Sequence, residues 1–566
     1  MSSLSRAVAV LLSLAMSTVY APLSSAQEPT PAERRPEPSR GAERSRADAP
    51  LPPSATSLSL GSRPDSWGEL PPRQELKYLG VYSSKATLSN VTATGLFDDQ
   101  LVGRLYGDNG STTQAEGRAL IESRALAFFD YQPQSVNGRA RLKAGFEVDF
   151  SFGDSANVAG SNSGGAINGD QVNLQTKRLM MELDLAQGLT LAVGLQPLAD
   201  SAYNPTSANP YDLLLGGGRL MFWGTDAAGL SLFGRWGEQI ARLSLFTLNL
   251  NKAAEDDDVT LLMLDAQLQL PLLTTLGLHA WALSDRSGDQ AGGLDSALPA
   301  YTGASPLSMS PDSAEATLGW LGLDLSHNRG RRGGPLSIDL AAFMNIGRFK
   351  PTPGLCRASA RCPVKTNEEL APFNPTEGSL LAFLADLQLG YRYGRGDGDA
   401  LSLGLIYATG DERPDDRVMS SVVTGNAFGT PGALFAHHRS LLIFPDPRSI
   451  NRHVGVVYDP GNLGYGLSAL TLAAAKDLYA ERLNLKLGFA SARAAAAPLD
   501  TGERFIGAEL NAELLYRPAP FLWLGLHAGA ARLGRFLESV ERVPSDPAPS
   551  SNRPWSAALS LTWVQL

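Results

Sequence analysis

The sequence predicts an all-β chain that folds as a transmembrane antiparallel up-and-down β-barrel of about 18 strands, with roughly 16 to 20 as the range. Three observations lead to this prediction. Polar and apolar residues alternate over repeated segments, brief turns alternate with long polar loops, and charged residues make up only 19% of 566 residues that include 57 glycines. The alternating segments run for about ten residues, which is the length that crosses a bilayer as a tilted strand.

The first residues are typical of a secretory signal peptide. Arg6 precedes a largely apolar stretch, and the small residues from Ser24 to Ala26 provide a cleavage site, so residues 1–26 are predicted to be removed. Residues 27–74 are rich in Pro, Arg, Glu and Ser and poor in large apolar residues. They cannot bury a core and are predicted to be a disordered periplasmic segment, either a plain flexible tail or a tether to a periplasmic partner.

Residues 75–566 are predicted to form the barrel. The segment RARLKAGFEVDFSF at residues 139–152 shows the pattern, with charged or small residues on one face and apolar residues on the other. Short connectors on one side and long loops on the other place both chain ends on the periplasmic side. The predicted strands are residues 77–87, 116–130, 138–152, 171–185, 188–197, 227–235, 238–250, 258–270, 274–285, 314–327, 335–350, 379–394, 399–409, 463–477, 481–494, 503–517, 520–534 and 554–566.

The two faces of each strand are assigned by the solvent that they meet. Backbone groups left unpaired in hydrocarbon force the sheet to close, so the apolar face meets lipid and the charged face meets a wet lumen. Aromatic residues near strand ends are expected in interface girdles; these are Phe152, Trp236, Trp523, Trp555 and Trp563. The residues predicted to line the pore are Arg118, Glu122, Arg124, Arg139, Arg141, Lys143, Glu147, Asp149, Arg178, Glu182 and Asp184.

The predicted lumen carries charges of both signs. On strands 116–130, 138–152 and 171–185, six bases face six acids when Asp130 is counted with the pore-lining set. Antiparallel pairing is expected to place Asp130 opposite Arg139 and Arg118 diagonal to Asp149, in a ladder of cross-strand ion pairs. This ladder either stiffens the wall, or its arginines at positions 124, 141 and 178 sort solutes by charge.

Cys356 and Cys362 lie close together in PGLCRASARCP, between two strand patterns. In an oxidising compartment they are predicted to form a small disulfide that closes a loop. A metal site is the weaker alternative, because no His or Asp stands near them.

Three stretches resemble the alginate-export type of outer-membrane porin. They are Phe146 to Asp149, YATGDERPDD from Tyr407, and IGAELNAELLYRPAPFLWLGLHAG from Ile506. The likeness extends loosely from about residue 77 to the C-terminus. It implies an 18-stranded barrel that passes an anionic polysaccharide through an arginine-rich lumen.

The sequence gives little support for other classes of function. The net charge of −9 offers no basic footprint for nucleic acid. His437 and His438 stand in a predicted loop, with no Ser or Asp tied to them by spacing, so no catalytic residue is predicted. The acidic stretches at Gly410 to Asp416 and Ala253 to Val259 lack the spacing of a calcium loop, so we predict neither a metal nor a cofactor.

The sequence therefore predicts a non-enzymatic protein of the outer membrane of a Gram-negative bacterium, in contact with lipid. The leading hypothesis is a channel for hydrophilic solutes, such as a polysaccharide or an oligosaccharide. The alternative is a plugged barrel that anchors a surface or periplasmic assembly, with loops such as 410–462 folded inward.

Overall fold

A computed structural model gives the fold of the barrel region. The predicted signal peptide and residues 27–74 lie outside the described residues, so the processing site and the periplasmic partner remain predictions. The described residues are 76–93, 111–133, 139–151, 173–197, 226–249, 259–286, 314–328, 334–351, 354–356, 371–373, 377–394, 398–413, 418–423, 440–444, 456–457, 460–479, 482–519, 521–539 and 552–565.

Eighteen strands form one closed antiparallel barrel, which confirms the predicted fold class. The first strand pairs with the last, from Gly80 opposite Gln565 to Ser89 opposite Ser556. The barrel strands are β1 (Leu76–Ala93), β2 (Ser111–Tyr131), β3 (Ala140–Ser151), β4 (Asn173–Ala186), β5 (Leu189–Pro197), β6 (Asp226–Trp236), β7 (Gln239–Asn249), β8 (Val259–Leu270), β9 (Thr274–Asp285), β10 (Ala314–His327), β11 (Leu336–Pro351), β14 (Gly378–Arg392), β15 (Ala400–Ala408), β17 (Leu467–Tyr479), β18 (Leu483–Arg493), β19 (Phe505–Ala519), β20 (Leu522–Leu533) and β21 (Trp555–Gln565).

Three short strands stand apart from this order. β12 (Gly354–Cys356) and β13 (Ala371–Phe373) form a separate ribbon. β16 (Val418–Met419) runs parallel to the first residues of β14, beyond the point where β15 ends. All 18 predicted strands overlap the observed barrel strands, because strand length and period 2 are properties of the local sequence.

The short turns lie at the end of the barrel that also holds the first residue of β1 and the last residue of β21. Two of them, at Gly188 and Gly237, have φ values of 76° and 64° that suit glycine. The turn between β8 and β9 instead places Leu272 and Leu273 at φ values of 60° and 55°. Short turns at the periplasmic end are typical of outer-membrane barrels.

Burial alternates along the strands and separates an outer from an inner face. On β8, Leu262 and Leu264 are 40% and 52% exposed, whereas Asp265 and Gln267, which follow them, are buried. An exposed apolar face with a polar inner face requires lipid outside. The chain is therefore an outer-membrane protein of a Gram-negative bacterium, as predicted. No helix in the described part of the chain is long and apolar enough to span a membrane.

Two of the predicted girdle residues are exposed near the short-turn end. Trp236 is 57% exposed and Trp563 is 46% exposed, while Trp555 at the other end is half-buried and Phe152 lies outside the described residues. The prediction for Trp523 is wrong, because this side chain is only 6% exposed. It belongs to the inner face of β20, which the apolar run FLWLGL did not distinguish from the outer face.

Candidate functional site in the barrel lumen

The inner faces of β1 to β5 carry most of the charged residues that the sequence assigned to the pore, and we call them the charged sector. Glu122, Arg124, Lys143, Arg178 and Glu182 are all buried there. Their burial on one face of neighbouring strands shows that other parts of the protein cover them. Burying a charged side chain costs free energy unless other groups pair with it.

The remaining predicted residues of the sector differ in exposure. Arg139 is exposed at the short-turn end. The side chains of Arg141 and Asp184 are 29% and 34% exposed. Arg118, Glu147 and Asp149 belong to β2 and β3, but their side chains lie outside the described set, so a lining role for them stays a prediction.

The observed register corrects the predicted ion-pair ladder. Asp130 lies opposite Lys143, not Arg139, and Asp149 lies opposite Arg124 rather than diagonal to Arg118. The difference is four residues, an even number that keeps every side chain on its predicted face. The charges still alternate across the pair of strands, but with different partners.

Arg141 and Lys143 share one carboxylate. Nε of Arg141 lies 3.1 Å from Oε2 of Glu182, and Nζ of Lys143 lies 3.2 Å from Oε1. Nη2 of Arg141 also donates to Asp184 at 2.8 Å. Two carboxylates thus fix the guanidinium plane, while its Nη1 nitrogen has no partner among the described residues.

Bases outnumber acids among the described side chains of the charged sector. The seven bases are Lys77, Lys85, Arg124, Arg139, Arg141, Lys143 and Arg178, and the four acids are Glu122, Asp130, Glu182 and Asp184, which leaves an excess of three positive charges. This local excess is opposite in sign to the chain's net charge of −9. The field inside a wall of low dielectric constant follows the local charges more than the total.

The inner faces of β6 to β20 carry a large apolar cluster, which we call the apolar side of the lumen. The cluster draws residues from every barrel strand from β6 to β20, including the fully buried Phe246, Trp320 and Phe343. None of its described members comes from β1 to β5 or from β21. The charged sector and the apolar side therefore lie on different strands, although buried charged residues such as Asp265 and Glu509 also lie on the inner faces of β6 to β20.

Segments that follow β15 fill the apolar side. Residues 420–423, 440–444 and 456–457, which we call the lumen plug, contribute Val423, Phe444 and other side chains that are fully buried in the cluster. They lie inside the wall because they bond to its inner face: Nε1 of Trp320 donates to the carbonyl oxygen of Val423 at 2.9 Å. Part of the predicted loop 410–462 is thus folded inward.

A buried network of ion pairs lies beside the apolar cluster, toward the short-turn end. Arg242 donates through Nε and Nη2 to Oδ2 of Asp265. His279 lies between two carboxylates, with Nδ1 2.8 Å from Asp265 and Nε2 2.8 Å from Asp324. Nε1 of Trp281 completes the set by donating to Asp265 at 2.8 Å, so the network braces β7 to β10.

This network was not predicted from the sequence. Its signal was present in VTLLMLDAQLQL, where Asp265 interrupts an apolar run on the inner parity of β8. The matching Arg242 and His279 lie opposite Asp265 on the two neighbouring strands, and they cannot be identified without the register.

The described side chains provide no candidate site for metal binding or catalysis. No group of three or more His, Cys, Asp or Glu side chains within the described ranges is placed to hold a metal ion. His437, His438 and Cys362 lie outside these ranges, as does the side chain of Cys356, so the disulfide remains a prediction. His527 is paired inside the wall, with Nδ1 3.1 Å from Glu513 and Nε2 2.7 Å from Ser560.

Comparisons with known proteins complete the description. No protein-family model matches the sequence, and no curated protein matches it. Among solved structures, OccK2 (OpdF) of Pseudomonas aeruginosa in complex with glucuronate is 11% identical, with 87% of this chain and 98% of that chain covered and a TM-score of 0.44. OccAB1 of Acinetobacter baumannii is 10% identical, with 87% and 97% covered and a TM-score of 0.45. The resemblance to alginate-export porins has no support among these structures, and likenesses this low say nothing of the solute.

Proposed function

We propose that the protein is an outer-membrane channel for hydrophilic solutes that prefers anions, with its passage along the charged sector. The observation that supports this proposal is the excess of three bases among the described side chains of the charged sector, together with the large apolar cluster along β6 to β20. A hydrated solute avoids an apolar surface and follows the polar one.

Arg141 is the best candidate for contact with a passing anion. It is more exposed than the buried cations beside it, and Glu182 and Asp184 hold its guanidinium in place without occupying Nη1. A planar guanidinium with fixed orientation suits a carboxylate or a phosphate. Its field acts where the wall excludes water, so it is screened less than a surface charge.

Planar-bilayer recordings across a salt gradient test the proposal. The wild-type protein should show steady single-channel currents with a reversal potential that favours anions. Replacing Arg124, Arg141 and Arg178 by alanine should shift that potential toward cations, and Arg141→Gln alone should shift it in the same direction. An unchanged potential in both variants would leave these arginines a structural role only.

A matched control separates the lumen from the overall charge. Arg504 and Arg535 have side chains that are 42% and 66% exposed and pair with Glu412 and Glu503 outside the charged sector. Replacing both by alanine lowers the positive charge of the protein but should leave the reversal potential unchanged.

The resemblance to alginate-export porins extends the proposal to an anionic polysaccharide as the solute. An acidic oligosaccharide added to one chamber should then block the current in a length-dependent manner, whereas a neutral oligosaccharide of equal length should block less. Equal block by both would favour general hydrophilic passage.

A second candidate function is a plugged barrel that anchors an assembly. The lumen plug supports it, because residues 422–423, 443–444 and 456–457 contribute buried side chains to one apolar cluster that spans the lumen side of β6 to β20. The absence of any current from correctly folded wild-type protein would favour this candidate over the channel.

A further inference from the structure

Glu509 is a buried carboxylate whose partners among the described residues are all neutral donors. It stands on the inner face of β19 and is 1% exposed. Oε2 accepts hydrogen bonds from the hydroxyl of Ser440 at 2.7 Å and from the backbone N–H groups of Leu442 and Ile443 at 3.0 and 2.8 Å. Oε1 accepts from the backbone N–H of Leu441 and from Nδ2 of Asn511, at 2.7 and 2.8 Å.

Four of these five donors belong to residues 440–443 of the lumen plug. Their successive N–H groups form a concave nest around the carboxylate, an arrangement that binds anions. Ser440 supports the nest from the other side, because its hydroxyl oxygen accepts from the backbone N–H of Phe444 at 3.0 Å. The nest is therefore organised by a charge that the barrel wall supplies.

The wall leaves room for this segment through two inner glycines. A Cβ atom on Gly507 would lie 2.8 Å from Cδ1 of Ile443, and one on Gly529 would lie 3.4 Å from Cβ of Leu441. The segment in turn carries the next part of the plug, since the backbone N–H groups of Val456 and Val457 donate to the carbonyl oxygens of residues 442 and 443. Release of Glu509 would thus loosen two plug segments.

We propose that Glu509 and the nest at residues 440–443 form a latch that holds the lumen plug against β19 and keeps the apolar side of the lumen closed. The role of the latch as a gate rests on the channel function proposed above. Its role as the attachment of the plug to the wall is independent of that function.

The variant Glu509→Gln tests the latch with almost no change of volume. A carboxamide has one oxygen where the carboxylate has two, so either Oε1 or Oε2 is replaced by an NH₂ group that cannot accept. The N–H donors on that side lose their acceptor and face another donor. Glu513→Gln is the matched control, because Glu513 lies on the same inner face of β19 and its carboxylate pairs with His527 of β20.

Hydrogen–deuterium exchange measured by mass spectrometry reads the attachment directly. Peptides covering residues 440–444 should exchange roughly tenfold faster or more in Glu509→Gln than in the wild type, because buried donors without an acceptor open readily. Glu513→Gln should leave them unchanged. Unchanged exchange in a correctly folded Glu509→Gln barrel would overturn the latch.

Chemical rescue and conductance complete the test. Glu509→Ala leaves space at the nest, so acetate should slow exchange of the 440–444 peptides again, while an equal concentration of chloride should not. In bilayers, Glu509→Gln should raise or destabilise the single-channel current relative to Glu513→Gln. An unchanged current from a conducting protein would overturn the gate. If no variant conducts but exchange still rises in Glu509→Gln, the channel function fails and the latch stands.

Discussion

Removing the carboxylate of Asp265 should destabilise the barrel more than most single substitutions. Asp265 is fully buried and accepts from Arg242, His279 and Trp281. Asp265→Ala would leave the Arg242 guanidinium, whose side chain is only 1% exposed, without its anion. Breaking one partner from a buried ion pair costs about 3–5 kcal/mol.

A double-variant cycle separates the pair from its parts. Asp265→Leu combined with Arg242→Met replaces the two charges by apolar groups of similar size, which is often close to neutral for a buried pair. The double variant should therefore be more stable than Asp265→Leu alone, and the two single effects should not add. The free energy of unfolding is measured by urea titration in phospholipid vesicles with tryptophan fluorescence as the signal.

The result that would refute this reasoning is specific. If Asp265→Ala unfolds within about 1 kcal/mol of the wild type, water or another group compensates Arg242 and the network does not brace the wall. If the two single effects add in the double variant, the two side chains act independently despite their contact.

Three further variants test the outer face and the turns. Leu264 lies at the middle of β8 and faces lipid, so Leu264→Arg should lower the free energy of unfolding by about 2–4 kcal/mol. Leu142 lies near the short-turn end of β3, so Leu142→Arg should lower it by about 0–1 kcal/mol. Urea titration measures both free energies, and equal losses would contradict the assigned depths. Replacing Leu272 and Leu273 by Asn and Gly should stabilise the barrel by about 1–2 kcal/mol, since both residues have positive φ. No gain in a thermal melt would show that the leucines contribute contacts that offset their backbone cost.

The charged sector shows how much of the candidate site the sequence could predict. The faces of Arg124, Arg141 and Glu182 followed from period 2, and the buried or half-buried side chains agree with that assignment. The partner of Asp130 could not be predicted, because Arg139 and Lys143 both carry the required charge and lie on the same face. Charge complementarity alone does not distinguish registers that differ by an even number of residues.

Trp523 and Glu509 illustrate two other features that could not be predicted from the sequence. Apolar residues on both parities of FLWLGL give no alternation, so the inward direction of Trp523 depends on the pairing of β20 with β21. In IGAELNAEL the acidic side chain of Glu509 was predicted only to be polar and inward. Its partners, the N–H groups of residues 441 to 443, are separated from it by 66 to 68 positions.

The strands, their order and the face of each that meets lipid could be predicted from the sequence, because these depend on segment length, turn residues and alternation within about ten neighbouring positions. The filling of the lumen could not be predicted, because it depends on contacts between residues far apart in the chain. The plug reaches the wall through backbone N–H groups at Glu509 and through the carbonyl of Val423 at Trp320. Every non-proline residue carries such an N–H group and every residue such a carbonyl, so these contacts cannot be predicted from the side chains of the plug. Closure of the barrel brings the donors and acceptors together.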